Sequence, residues 1–103
     1  MKDYAQGDII SISSYQNRFV IISKNAFIRA AGVFHVCPLL AEGAPGPLHI
    51  NIKGVVHQTD GTVICEQIKL IDPEKRSCRR LDRLSYSDVM EVSDVLQGIF
   101  EYD

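Results

Sequence analysis

For most of its length the chain sets apolar residues in short bursts among polar ones, with the two-residue period of extended backbone. Gly7-Asp8 introduces IISIS, a first strand at 9–14. After the short connector SYQN, RFVIISK reads as a second strand at about 18–24. The pair suits a hairpin, although SYQN does not specify its turn as an Asn-Gly pair would. Asn25 to Ala31 fits one helical turn before Gly32, and GVFHVCPLL supplies a third strand ending near Pro38. AEGAPGP, residues 41–47, is a loop, because two glycines and two prolines suit no regular element. LHINIKGVV then places Leu48, Ile50 and Ile52 on one face and His49, Asn51 and Lys53 on the other.

HQTDG turns the chain into GTVICEQIKLID, residues 61–72. Alternation puts Ile64, Glu66, Ile68 and Leu70 on one side and Val63, Cys65, Gln67, Lys69 and Ile71 on the other. Neither side is cleanly apolar, so the run breaks at a bulge or bend near Glu66. Such a bend re-aims a carboxylate; the plainer alternative is a Glu66 that faces water or caps a backbone group. Residues 78–83 read as a short final strand or an irregular connector. Ser85 opens the one persuasive helix, with Asp88 completing a capping box and Val89, Val92, Leu96 and Ile99 at helical spacing, flanked by Met90 and Phe100. The expected fold is mainly β with a C-terminal α-helix: a curled antiparallel sheet or small SH3-like barrel covered by that helix. Little chain is left for crossover helices.

Composition narrows the class. With 103 residues and 46% hydrophobic content, the chain suits a single domain over 1–103 with one core. No apolar run is long enough to span a bilayer and no secretory leader precedes the first strand, so a cytoplasmic protein without a membrane partner is expected. Cys37, Cys65 and Cys78 are odd in number and lack ligand spacing; reduced thiols, no metal and no cofactor are expected. A formal charge of -2 gives no general attraction to nucleic acid, so phosphate binding must be local. Lys75, Arg76, Arg79, Arg80 and Arg83 fall close together, and the segment after them carries Asp88, Glu91, Asp94, Glu101 and Asp103 with no Lys or Arg. The basic cluster is either a phosphate-contacting edge or a solvated strand edge.

Candidate chemistry is sparse. No nucleotide-binding glycine fingerprint, paired-histidine helix or close cysteine pair is present. His35 lies in a strand, His49 beside the proline-rich loop and His57 near a turn. Arg18 begins a strand after a short connector, where it either stabilises charge on phosphoryl oxygens or pairs with Asp8 or Glu66.

GDIISI, RFVIIS, HVCPLL and GTVICEQIKLID, followed by RLDRLSYSDVMEVSDVLQGIF, resemble the MazF/PemK toxin family in order and spacing over nearly the whole chain. The C-terminal half looks most like its Kid/PemK branch. The resemblance implies a barrel-like homodimer that cleaves single-stranded RNA at specific sequences without metal and is restrained by a cognate antitoxin. It implies Arg18 and Glu66 as catalytic residues, His35 or His49 as an acid or RNA contact, and Lys75, Arg76, Arg79, Arg80 and Arg83 as RNA or antitoxin contacts. Arg18 matches the family arginine, but Phe19 stands at the usual proline and Leu40 at the usual threonine. Ile64 and Glu66 stand where the Kid/PemK branch has an arginine and an aspartate, and the first inter-strand loop is shorter. The alternative is a non-cleaving toxin or binding protein, comparable with CcdB, whose nuclease site has degenerated.

Overall fold

The computed structural model describes residues 3–41, 43 and 46–100. Its elements run β1 (Asp8–Ile12), β2 (Arg18–Ile21), α1 (Asn25–Ala31), β3 (Phe34–Leu40), β4 (His49–Lys53), β5 (Asp60–Ile64), β6 (Lys69–Ile71), β7 (Cys78–Arg83) and α2 (Tyr86–Phe100). Every pairing is antiparallel, in the order β4-β5-β3-β2-β1-β7, with β6 also on β3. The sheet takes the curled rather than the closed form of the expected architecture. Its ends approach where the Val55 N–H donates to the Arg83 carbonyl at 2.9 Å.

The β period distributes apolar side chains onto both faces. One cluster joins Ile9, Val20, Cys37, Leu39, Ile50 and Val63 to Val92 and Leu96 of α2. The other holds Ile10, Ile12, Phe19, Ile21, Phe34, Val36 and Ile71. Each fully buried large side chain contributes about 1.5–3 kcal/mol. Burial pushes the Cys37 thiol up to about 12 and that of Cys65 to about 11, so both pack as small neutral groups.

Three local expectations change. The helix after Asn25 has seven residues rather than one turn, ending on Gly32 in the left-handed region. β3 runs through Pro38 to Leu40. The Ile22 N–H donates to His35 O, so alternation turns Pro38, with no N–H to offer, away from β2 toward the gap between β5 and β6. At α2 only half of the capping box forms. Ser85 Oγ accepts the Asp88 N–H at 3.1 Å, while the Asp88 carboxylate accepts from Lys53 N–H on β4.

Residues 78–83 form a strand, with a register shift opposite Ile9 and Ile10. The shift turns Asp82 inward against the β4–β5 turn. Its carboxylate accepts N–H groups from Val56, His57, Thr59 and Arg83 at 2.8–3.1 Å. A Cβ on Gly54 would lie 2.0 Å from Asp82 Oδ2, so the turn passes this acid only with glycine there. Glu42, Ala44 and Pro45 of the expected loop, and Glu101 and Asp103 of the acidic ending, lie outside the described residues. No helix among the described residues is long and apolar enough to cross a membrane.

Candidate functional site

The expected bend at Glu66 is present. β5 pairs with β3 at Leu39 and Leu40, β6 pairs with β3 at Phe34 to Val36, and Cys65 to Ile68 leave the ladder between them. Leaving the ladder frees Glu66 from strict alternation and brings it to His49, opposite Ile64 at the start of β4. His49 Nε2 lies 3.0 Å from Glu66 Oε2. The Glu66 side chain is 44% exposed and that of His49 18%, so the carboxylate is the solvent-facing member. The hydrogen bond from His49, then one from its own backbone, hold the Glu66 carboxyl below the ordinary carboxylate value against a smaller effect of burial. The loop packs on the histidine: a Cβ on Gly46 would come within 3.0 Å of His49 Nδ1. Beside the pair on the same two strands, Thr62 Oγ1 donates to Asn51 Oδ1 at 2.7 Å.

Arg18 is not brought to this pair. Its register partner is Leu39, on the opposite sheet face from Ile64 and His49, and it lies three strands from β4, roughly 14 Å away. It forms neither of the two ion pairs weighed for it, because Asp8 takes Arg80 at 2.9 Å and Glu66 takes His49. Its guanidinium instead makes a long 3.4 Å bond to the Asp60 carbonyl. His35 also faces away: its Nδ1 lies 3.0 Å from Ser23 Oγ and its ring packs on Phe27 at 5.3 Å. Of the positions departing from the family pattern, Leu40 is half-buried, and Phe19 and Ile64 are buried.

The basic cluster is divided by the β7 strand. Arg80 is engaged internally, bonding Asp8 and the Asp3 carbonyl and lying over the Tyr4 ring. Arg76 lies over Tyr15, and Lys75, Arg79 and Arg83 are exposed. A cleft of ≈ 860 Å³, lined by Tyr4, Asn25, Ile28, Arg29 and Phe34 among others, includes neither Glu66 nor His49. Sequence reasoning did not single out Tyr15, Asn51 or Asp82, since each acquires its partners only through folding.

An open antiparallel sheet capped by one terminal helix is a fold already seen. The MazE-MazF complex from Deinococcus radiodurans superposes with a TM-score of 0.80 at 15% identity, covering 100% of both chains. An endoribonuclease from a mycobacterial species gives 0.79 at 15% identity over 95% of this chain and 91% of that one. A mycobacterial endoribonuclease in complex with its cognate antitoxin gives 0.77 at 13% identity over 97% and 99%. No curated protein sequence matches. The family model of the PemK-like, MazF-like toxins of type II toxin-antitoxin systems matches residues 6–100. The chain belongs to that family.

Proposed function

We propose that this toxin is an endoribonuclease that cuts single-stranded RNA at specific sequences without a metal cofactor, with Glu66 as the proton acceptor and His49 holding it. The observation that carries the reading is the His49–Glu66 bond, at 3.0 Å on an open face of a toxin-family sheet. Two structures of the same fold bear the name endoribonuclease, which supports the same activity here.

RNA carries its own nucleophile. Attack of the 2′-oxygen forms a P–O2′ bond and breaks P–O5′, leaving a 2′,3′-cyclic phosphate and a 5′-hydroxyl. The protein must take the 2′-OH proton and stabilise charge on the phosphoryl oxygens, while solvent supplies the proton for O5′. The attacking and leaving oxygens lie in line on opposite sides of phosphorus. Two groups in direct contact therefore serve one end between them, and Glu66, anionic and exposed, receives the 2′ proton. Arg18, on the opposite sheet face and able to leave its long bond to Asp60, is proposed to contact the RNA strand away from the scissile phosphate rather than to stabilise its charge. His35, committed to Ser23, is given no part.

The test incubates purified, antitoxin-free protein with unstructured RNAs in excess chelator and maps the new ends. Site-specific cuts ending in cyclic phosphate are expected, and a 2′-deoxy substitution at the cut should abolish them. A well-folded protein that leaves several such RNAs intact would favour the non-cleaving alternative.

The toxin is further proposed to act in the cytoplasm as a homodimer restrained by an antitoxin, as the antitoxin-bound neighbours suggest. An acidic antitoxin segment would meet the exposed Lys75, Arg79 and Arg83. Val56, Tyr86 and Met90 are large apolar groups left exposed on one protomer, which favours further burial. Sedimentation across a micromolar concentration series should show a dimer, and a persistent monomer would defeat this part of the proposal.

A further inference from the structure

Tyr15, in the β1–β2 connector, stands edge-on to Phe19 with ring centroids 5.3 Å apart and planes at 82°. Two cations from separate segments lie over its ring: Lys69 Nζ of β6 at 5.8 Å and the Arg76 guanidinium at 5.2 Å. Both are exposed, and neither belongs to an ion pair among the described residues. The register ties this cluster to the candidate site. Lys69 pairs with Val36, Phe19 with Pro38 and Thr62 with Leu40, so these side chains share one face of β3. Ile64 lies two residues beyond Thr62, so it and its partner His49 are on that face too. The path from Phe19 to His49 crosses three strand spacings, roughly 14 Å.

We propose that Tyr15, Lys69 and Arg76 form a nucleotide subsite of the RNA groove, with a base stacked on Tyr15 and the flanking phosphates held by the two cations. The inference rests on the RNA reading of the His49–Glu66 face. Base stacking on an aromatic ring is stronger than an exposed cation–aromatic contact, so a base displaces the long side chains from the ring. The displaced cations then meet the phosphates on either side. Local cations are needed because the chain as a whole carries a formal charge of -2 and repels RNA. A duplex keeps its bases stacked on one another, so the subsite selects single strands.

The test uses the full chain and a short 2′-O-methyl oligonucleotide that cannot be cleaved, with binding followed by fluorescence anisotropy against salt. Tyr15→Leu, which keeps an apolar group against Phe19, should weaken binding on the order of 10-fold, and Tyr15→Trp should restore it. Lys69→Met with Arg76→Gln should reduce the salt slope by about 1.4, at ~0.7 for each phosphate that is no longer neutralised. Arg76 is exposed, so Arg76→Gln alone keeps the test open should Tyr15→Leu misfold. If the wild type cleaves RNA while these variants bind with unchanged affinity and slope, the subsite is overturned and the cleavage reading stands. If the wild type binds without cleaving and Tyr15→Leu weakens binding, the subsite stands and cleavage falls. A wild type that neither binds nor cleaves overturns both.

Discussion

Glu66→Gln should lower the rate of RNA cleavage at saturating substrate on the order of 100-fold, the lower end of what a positioned proton acceptor contributes. Glutamine keeps the size of the side chain and an oxygen that can accept from His49, but loses the charge and the basicity. The loss therefore falls on the transition state rather than on RNA binding. Because Glu66 is exposed, thermal unfolding should hardly move. The pH dependence follows from the direction of the shift. In the proposed reaction Glu66 acts as the carboxylate, and its carboxyl is held below the ordinary value, so the acid limb of the rate profile should lie below that of an unpaired glutamate. His49→Leu removes the main cause of that shift, and the limb should move to higher pH. Arg18→Ala, roughly 14 Å away across the strands, should instead raise KM on the order of 10-fold. The two losses should multiply in the double variant, as for independent sites. Full activity in Glu66→Gln, or an unmoved acid limb in His49→Leu, would remove the pair from the chemistry.

Asp82→Asn should cost about 2–4 kcal/mol of stability. The buried carboxylate fills the needs of four N–H groups, three of them in the β4–β5 turn. An asparagine keeps one acceptor oxygen and turns an amide donor toward other donors. At ~4–8 °C per kcal/mol for a chain of this size, Tm should fall by roughly 8–32 °C. Burial by itself raises the Asp82 pKa, but bonds from Val56, Arg83 and Thr59 outweigh it and leave the carboxyl well below its usual range. A depressed folded-state pKa makes the unfolded chain take up protons first as pH falls. The stabilisation is thus complete above the unfolded value near ~4 and is progressively lost below it. Urea titrations at pH 7 and pH 3 should show the gap between wild type and Asp82→Asn narrowing in acid. A gap under about 1 kcal/mol at pH 7, or one that persists unchanged in acid, would assign the turn's stability elsewhere.

Alternation and turn chemistry are local, and they sufficed for the extended runs, the inward set Ile50 and Ile52, the break near Glu66 and the helix after Ser85. The same local rules misjudged β3, because a proline ends a strand only where its missing N–H is needed, and that depends on which neighbour lies alongside. Family membership was also legible, since the order of GDIISI, RFVIIS, HVCPLL and CEQIKLID survives the loss of individual side chains at Leu40 and Ile64. Which charged groups meet was not legible. Arg18, Asp8 and Glu66 offered several pairings, and strand register selected Arg80 for Asp8 and His49 for Glu66, leaving Arg18 on another face. The five basic residues formed one cluster along the chain, yet Lys75 and Arg76 precede β7, and within it the neighbours Arg79 and Arg80 alternate to opposite sides. The sequence by itself determined the order of elements, the apolar faces and the kinship. Only the tertiary structure decided which candidate residues meet, because a contact such as His49–Glu66 or Tyr15–Arg76 joins residues whose separation in the chain carries no information about their distance in the sheet.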